Sequence, residues 1–464
     1  MSSLARRLNY RQVGDAAIPA QQKIKSPPAN SRVASKSVAG GPKVGTPNLS
    51  STEENLAEAF GADSATIPRH EARNAYAEIA TATKKLKIGF VFDDNLDNPD
   101  GVQQYINTLG DWLTSHGHEV RYLVGQTKNL ANRTHIYPLS RNLQIRFNKN
   151  RLSVPLPARK EAIQAVLKRE KFDVLHVQLP CSPAMAGRVV RLADPSTVIV
   201  GTFHVVGHHW LMAHGAKLLG MLQQRMHRQF DHIVCVSTAA QEFAQKHFDL
   251  QNTTVLPNVI DRKRFSKGKP ITHLDDEKIN LVFLGRLVER KGCRYLIEAV
   301  RRLRDREAAN NLRVLICGKG PLEDSLKQLV RNYKLHEIIT FIGFIPEEDK
   351  ADYLASADIA IFPSTGGESF GIVLAEAMAA GNGVVMGGDN VGYRTVLGDQ
   401  ANHLLFHPQN TQSFADKIQL LLTNPELRER LHAWQIKTVS QYDVETVAPK
   451  LLKLYRQHTV VKNT

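Results

Sequence analysis

Cysteine is scarce in this chain of 464 residues: Cys181, Cys235, Cys293 and Cys317 are scattered, mostly among apolar neighbours. No pair has metal-ligand spacing, and an even count alone is weak support for disulfides. Reduced, buried thiols in a cytosolic protein are the expectation. Long apolar runs are missing as well: none approaches the ~18 residues that a membrane-spanning helix needs. The opening residues MSSLARRLNYRQV lack the unbroken apolar core of a secretory signal. There is no GxGxxG between a strand and a helix, which argues against a nicotinamide enzyme. Neither an Asp-x-Asp nor a histidine cluster demands a metal, and His208-His209 reads as a solvated or packed pair at a helix start. No metal and no cofactor is therefore expected.

What is present suits a globular protein, with 42% hydrophobic and 7% aromatic residues. The length exceeds one typical core, so two domains are expected. The net charge of +15 is concentrated at one end, since residues 1–50 hold eight lysines and arginines against the single acid Asp15. That stretch is rich in Ser, Pro, Gly and Ala and nearly free of aromatics, so residues 1–84 read as a basic, largely disordered extension with weak helical character from Glu53 to Ala82. Such a tail suits a solvated spacer or contact with an anionic lipid surface better than nucleic acid.

From Leu86 onward the chain becomes regular. LKIGFVF (Leu86–Phe92) reads as a buried parallel strand, followed by a helix over Val102–His116. Apolar runs recur at EVRYLVG, FDVLHVQ, TVIVGTFH, HIVCVS and TTVLPN. A second series begins at INLVFLGRL and continues through LRVLICG, IITFIGF, IAIFPS and GVVMGG. Short apolar strands alternating with helices predict parallel sheets covered on both faces. The fold class is therefore α/β, with two Rossmann-like, doubly wound domains facing a cleft, at 85–265 and 266–435. The polar linker DRKRFSKGKPITHLDDEKI (Asp261–Ile279) reads as a hinge. A final amphipathic helix within 436–464 places Val447, Leu451, Leu452 and Tyr455 on one side. Ligands of such sheets sit at strand C-terminal ends.

Three segments are placed there. In DNPDGVQQYI, Gly101 stands between a strand and a helix, where it admits either close approach of an anion or nothing more than a plain turn. In GRLVERKG, Arg286 and Lys291 flank Glu289 at a strand end, as a diphosphate clamp or as an exposed basic turn. In STGGESFGIVLAEAMAAG (Ser364–Gly381), a strand runs into a glycine-rich loop, and Ser369 or Phe370 is expected to open a helix. Free amides there, with Gly371 allowing close approach, suit a phosphate. Glu368 before the helix and Glu376 two turns in suggest a polyhydroxylated ligand, although caps and surface charge explain most such glutamates.

Together, GRL-x-E-x-KG and E-S-F-G-I-V-x-x-E-A-M-A-A-G resemble the C-terminal domain of family 4 retaining glycosyltransferases with the GT-B fold, and the match runs over roughly residues 86–460. The resemblance implies that Glu368 touches the donor sugar's hydroxyls, Glu376 binds the nucleotide ribose, and Arg286 and Lys291 grip the diphosphate with help from amides at Phe370 and Gly371. Base contacts are implied near Phe344 and Ile345. DGVQQYI, FDVLHVQLPCSPAMAG and TFHVVG are similar to segments of phosphatidylinositol α-mannosyltransferases. That likeness implies Gly101 against the diphosphate, Gln103 at the acceptor and His204 at the reaction centre. The family often has Gly-Gly where this chain has Asp100-Gly101. Within RNLQIRFNKNRL, Arg146 is a candidate phosphate contact for the acceptor. The implied activity is transfer of a hexose, with GDP-mannose favoured over a UDP-sugar, onto a lipid head group such as phosphatidylinositol, with retention. Another lipid or soluble acceptor, and an inactive sugar-nucleotide-binding module, stand as alternatives. The implied setting is cytoplasmic and peripheral, at the inner face of a membrane, with a nucleotide-sugar and a lipid or small-molecule acceptor as partners.

Overall fold

A computed structural model describes residues 84–97, 100–127, 135–147, 150–155, 158–206, 220–221 and 223–463. The extension assigned to residues 1–84 falls outside these except for Lys84, and His208 and His209 fall outside them as well.

Fifteen strands are formed among the described residues. In the first half they are β1 (Lys87–Val91), β2 (Glu119–Gly125), β3 (Ile136–Ser140), β4 (Asn142–Phe147), β5 (Asn150–Pro155), β6 (Val174–Gln178), β7 (Val198–Phe203), β8 (His232–Cys235) and β9 (Thr253–Val255). In the second they are β10 (Ile279–Leu284), β11 (Leu312–Cys317), β12 (Ile339–Gly343), β13 (Ile359–Phe362), β14 (Val384–Gly388) and β15 (Leu405–Phe406). Thirteen assemble into two all-parallel sheets, ordered β3-β2-β1-β6-β7-β8-β9 and β12-β11-β10-β13-β14-β15. The central strands β6, β7, β13 and β14 are buried at every position, as helices on both faces require. Both orders reverse direction once, between β1 and β6 and between β10 and β13. In such sheets the crevice at that reversal is where ligands bind.

The basic segment around Arg146 forms a two-stranded hairpin, with Arg146 opposite Arg151 and Phe147 opposite Asn150. Its period-2 alternation (Leu143, Ile145, Phe147) is the physical reason, though interspersed charges conceal it in the sequence. The side chain of Arg146 lies outside the described ones.

The linker is less hinge-like than its composition suggests. Phe265 and Leu274 are buried, the Lys269 amide donates to Asp352 Oδ1 (2.8 Å), and the Ile271 amide donates to Ser356 Oγ (2.9 Å). Freedom is thereby confined to the crossing near Ile260. A second crossing lies beside it: Ile260 pairs in parallel with Asp443, donating to Tyr442 O (3.0 Å) and accepting from the Val444 amide (2.9 Å). Beyond this point the helix Val444–Asn463 returns to the first sheet and to the helix Gly101–Ser115. Val447, Ala448, Leu451, Leu452 and Tyr455 enter one core with Ile88, Phe90, Leu109 and Trp112. Trp112 Nε1 donates to Glu445 Oε2 at 2.9 Å. That apolar face is thus occupied by the first domain's core and is not free to lie on a membrane.

Because Leu451 is almost fully buried, Leu451→Ala is expected to destabilise the first domain by about 2–5 kcal/mol. Urea unfolding followed by tryptophan fluorescence checks this through Trp112, and an unchanged midpoint would contradict the packing.

Candidate active site

The second sheet reverses between β10 and β13, and the loops leaving those two strands carry most of the charged candidates. Gly292 has φ +70°, and a Cβ there would lie 1.9 Å from Pro363 O, so only glycine lets the two loops touch. The contact is then fastened by hydrogen bonds. The Thr365 amide and the Thr365 hydroxyl both donate to Arg290 O (2.9 and 3.3 Å).

This places Glu368 against three donors, all on one oxygen: Arg290 Nη1 (2.8 Å), Lys291 Nζ (2.8 Å) and Ser364 Oγ (2.9 Å) reach Oε1. Burial alone would raise its pKa, but the charges of Lys291 and Arg290 outweigh it and hold the carboxyl below its ordinary value. Arg286 sits on the cavity wall, exposed, with no ion pair among the described residues.

The helix after β13 begins at Ile372, two residues later than its sequence suggests, with Gly371 as its cap at φ +101°. A Cβ on Gly371 would lie 2.6 Å from the Tyr393 ring. The amides free to meet an anion are thus the first ones of the helix, at Ile372 and Val373, both on the cavity wall. Phe370 does not line the cavity; its side chain is buried edge-on against Tyr442, with ring centroids 5.1 Å apart. Because of the later start, Glu376 is little more than one turn into the helix. It is buried there, with Oε2 2.6 Å from Lys350 Nζ in an ion pair. Ile345 lies in the loop after β12 and does not reach this cavity, and its neighbour Phe344 is 60% exposed.

The first domain contributes the ends of β1 and β7. Gly101 opens the helix Gly101–Ser115, and a Cβ on it would come within 3.4 Å of Ile372 Cγ2. Two helix N-termini, one from each domain, therefore face each other across the cleft, a suitable seat for an anion. Gln103 turns away: it is buried, with Nε2 donating to Asn95 O (3.2 Å), and it does not line the cavity. Its neighbour Gln104 does line it. His204, just past β7, lines the cavity while largely buried, with Nε2 2.8 Å from Gln178 Oε1 and its ring edge-on to Tyr105. A carbonyl oxygen only accepts, so Nε2 carries the proton of a neutral imidazole. Burial pushes the His204 pKa down to about 3.

These residues enclose a cavity of about 390 Å³ between the domains, large enough for a sugar nucleotide's polar portion. Among the described residues no cluster of His, Cys, Asp and Glu could hold a metal ion, and no helix is long and apolar enough to cross a membrane.

Comparison with known proteins agrees with this layout. The model for Glycosyltransferase Family 4 matches residues 99–264, and that for Glycosyl transferases group 1 matches residues 265–436. A phosphatidyl-myo-inositol mannosyltransferase of Mycobacterium tuberculosis (strain ATCC 25618 / H37Rv) is 30% identical over 376 residues, covering 80% of this chain and 96% of the relative. The chain belongs to glycosyltransferase family 4. Among solved structures, sucrose-phosphate synthase from Thermosynechococcus elongatus superposes with a TM-score of 0.64 at 20% identity, covering 81% of this chain and all of that one. Anabaena Alr3699/HepE in complex with UDP gives 0.61 at 17% identity, covering 80% and 99%. The enzyme is a hexosyltransferase of GT-B fold, and proteins of this kind take nucleotide-sugar donors.

Three residues of this glycosyltransferase's site were not singled out from its sequence: Arg290, Lys350 and Gln104. Arg290 was visible only as one more charge in a basic turn. Lys350 sits in EEDKADY, which reads as a solvated charge run, and only its tertiary partner Glu376 buries it. Gln104 differs from Gln103 by a helical phase that the strand-to-helix turn does not fix.

The buried histidines have a consequence for stability. Burial lowers the pKa of His176 and of His204 to about 3 in each case, against about 6.5 in an unfolded chain. Above pH ~6.5 neither state takes up these protons; below it the unfolded chain does and the folded enzyme does not. Stability is therefore expected to be level above pH ~6.5 and to fall below it by about 1.4 kcal/mol per pH unit for each histidine. Urea midpoints measured from pH 8 to 5 check this, and a midpoint unchanged to pH 5 would contradict it.

Proposed function

We propose that this enzyme transfers mannose from GDP-mannose to the inositol head group of phosphatidylinositol, with retention of anomeric configuration. The reading rests first on Glu368. With three donors crowded on Oε1, its carboxylate is fixed in orientation, and Oε2 is left to accept from a sugar hydroxyl. The donor lies against the second domain, its diphosphate between Arg286, Lys291 and the first amides of the helix after Gly371. The acceptor meets it from the first domain, beside Gly101 and His204.

In the reaction the acceptor oxygen bonds to the anomeric carbon as the bond from that carbon to the phosphate oxygen breaks. The acceptor's proton leaves with the phosphate oxygen on the same face. Charge builds on the departing diphosphate, where cations and amides fixed in advance lower the barrier, an effect worth ~10²–10³ in rate for a single donor in comparable sites. Neutral His204 serves as a hydrogen-bonding partner to the reacting sugar and not as a cation. Both glutamates are tied to cations, which favours same-face attack over a covalent glycosyl intermediate.

The choice of mannose and of phosphatidylinositol is supported by the names of the mycobacterial relatives. Work on a lipid acceptor places the enzyme at a membrane surface, and the basic stretches 1–50 and 141–151 would draw it to anionic lipid at the cytoplasmic face. The roles of Ile345 in base recognition, and of Gln103 and Arg146 at the acceptor, belong to this proposal and are the parts least supported by the cavity itself.

The test is transfer from GDP-mannose, with UDP-glucose in parallel, with and without liposomes containing phosphatidylinositol. Lipid-dependent mannosyl transfer is expected, reduced about a hundredfold or more in Glu368→Ala. Transfer from UDP-glucose alone, or transfer indifferent to the lipid, would contradict the mannosyl-lipid reading. No turnover of either donor would favour a binding module.

A further inference from the structure

We infer that Lys350 and Gln104 are positioning residues for the nucleotide: together they hold Glu376 as a carboxylate ready to accept from the donor's ribose hydroxyls, and they tie that contact to the approach of the first domain. This rests on the donor-site reading above, in which Glu376 meets the ribose, and extends it to two residues from different parts of the fold.

Glu376 is only 2% exposed, yet it borders the cavity. A carboxyl group so placed favours its neutral form, and burial is the dominant influence on it, raising its pKa. A neutral acid is a poor receiver for a diol, because one of its oxygens carries a proton and becomes a donor. A carboxylate offers lone pairs on both oxygens. The charged groups facing Glu376 are Lys350, Glu347 and Arg264. Lys350 Nζ stands 2.6 Å from Oε2 and 3.8 Å from Glu347 Oε2, and Arg264 Nη2 lies 3.1 Å from Glu347 Oε1. Arg264 thus largely answers Glu347, and Lys350 is the cation left to oppose burial at Glu376.

Lys350 is itself almost buried, from a short helix (Lys350–Ala355) packed beside the Glu376 helix. Its ammonium also lies over the Phe265 ring, 5.7 Å from the centroid. A buried ion pair adds little stability over apolar residues of the same volume. Its position on the wall of a ligand cavity is better explained by a task there.

Gln104 arrives from the other domain, one turn into the helix that Gly101 opens. In the amide orientation that suits Glu376 and Lys350, Nε2 donates to Glu376 Oε1 at 2.7 Å and Oε1 accepts from Lys350 Nζ at 3.1 Å, whereas the opposite orientation makes only two contacts of 3.4 Å to the Glu347 carboxylate. One side chain thus satisfies both members of the pair, and it can do so only when the domains are together. Oε2 is enclosed against Lys350, and Oε1 keeps a further lone pair for a ribose hydroxyl. Ribose binding and domain approach then favour one another, since both need Glu376 charged and fixed.

The test uses the full chain and calorimetric binding of GDP and of 2′,3′-dideoxy-GDP, with UDP in parallel, to wild type, Lys350→Met and Lys350→Arg. Wild type is expected to prefer the ribose form about tenfold or more. Lys350→Met should bring the two within about twofold, and Lys350→Arg should keep most of the preference. A general structural role would weaken both ligands equally and leave the ratio unchanged, so a ratio retained in Lys350→Met overturns the inference while sparing the donor site. Equal binding of both forms by wild type overturns it together with the ribose role of Glu376. Absence of any nucleotide binding overturns the donor-site reading as well. Should Lys350→Met fail to fold, Gln104→Leu carries the question. Its kcat for transfer is expected to fall about tenfold with a smaller ribose preference, and no change in either would overturn the inference.

Discussion

The site depends on one contact between two loops. The segment leaving β10 and the segment leaving β13 meet at the point where the strand order reverses, and Gly292 must lack a Cβ for Pro363 O to come so close. Hydrogen bonds from the Thr365 amide and hydroxyl to Arg290 O then fix the two loops as one surface. Everything chemical in the second domain follows. Arg290 and Lys291 are brought onto Glu368, the carboxyl stays ionised although partly buried, and Arg286 faces the cleft without an ion pair among the described residues. If the loops separated, a partly buried carboxylate would lose its cations, which is costlier than losing an exposed ion pair.

The second constraint is the double crossing at Ile260 and Asp443. Two chain passages hydrogen-bonded side by side leave little freedom other than rotation about that seam. The returning helix is then anchored in the first domain's core, so the domains are joined by covalent chain on one side and by contacts across the cleft on the other. Polar contacts among them are the bond from Ser237 Oγ to Ser369 O at 2.7 Å and the meeting of Gln104 with Glu376 and Lys350. Both reach the cleft wall, where a bound nucleotide would strengthen or replace them.

Much of this was legible in the sequence. The apolar runs from Leu86–Phe92 to GVVMGG became strands because buried parallel strands must be continuously apolar, and that pattern survives without tertiary information. Glu368 was legible because a strand, a glycine-rich loop and an Ala-rich helix mark a strand end. The helix start was displaced because the φ of Gly371 is set by the Tyr393 ring beneath it, which lies 22 residues further on. Short edge strands such as β3, which contains Pro138, and the two-residue β15 carry too little pattern to be seen. Phe370 was put forward for its backbone amide, and its side chain fills core. Lys350 was hidden for the opposite reason, since nothing local distinguishes a lysine that will be buried beside Glu376 from one that faces water.

The measurement that bears most directly on the central contact is hydrogen–deuterium exchange of the full chain with and without GDP. If the two loops form one diphosphate-binding surface, GDP should protect residues 285–292 and 364–373 together, to a similar degree. Protection confined to one of the two segments, or found at the Ile260–Asp443 seam while both loops exchange as before, would contradict the account.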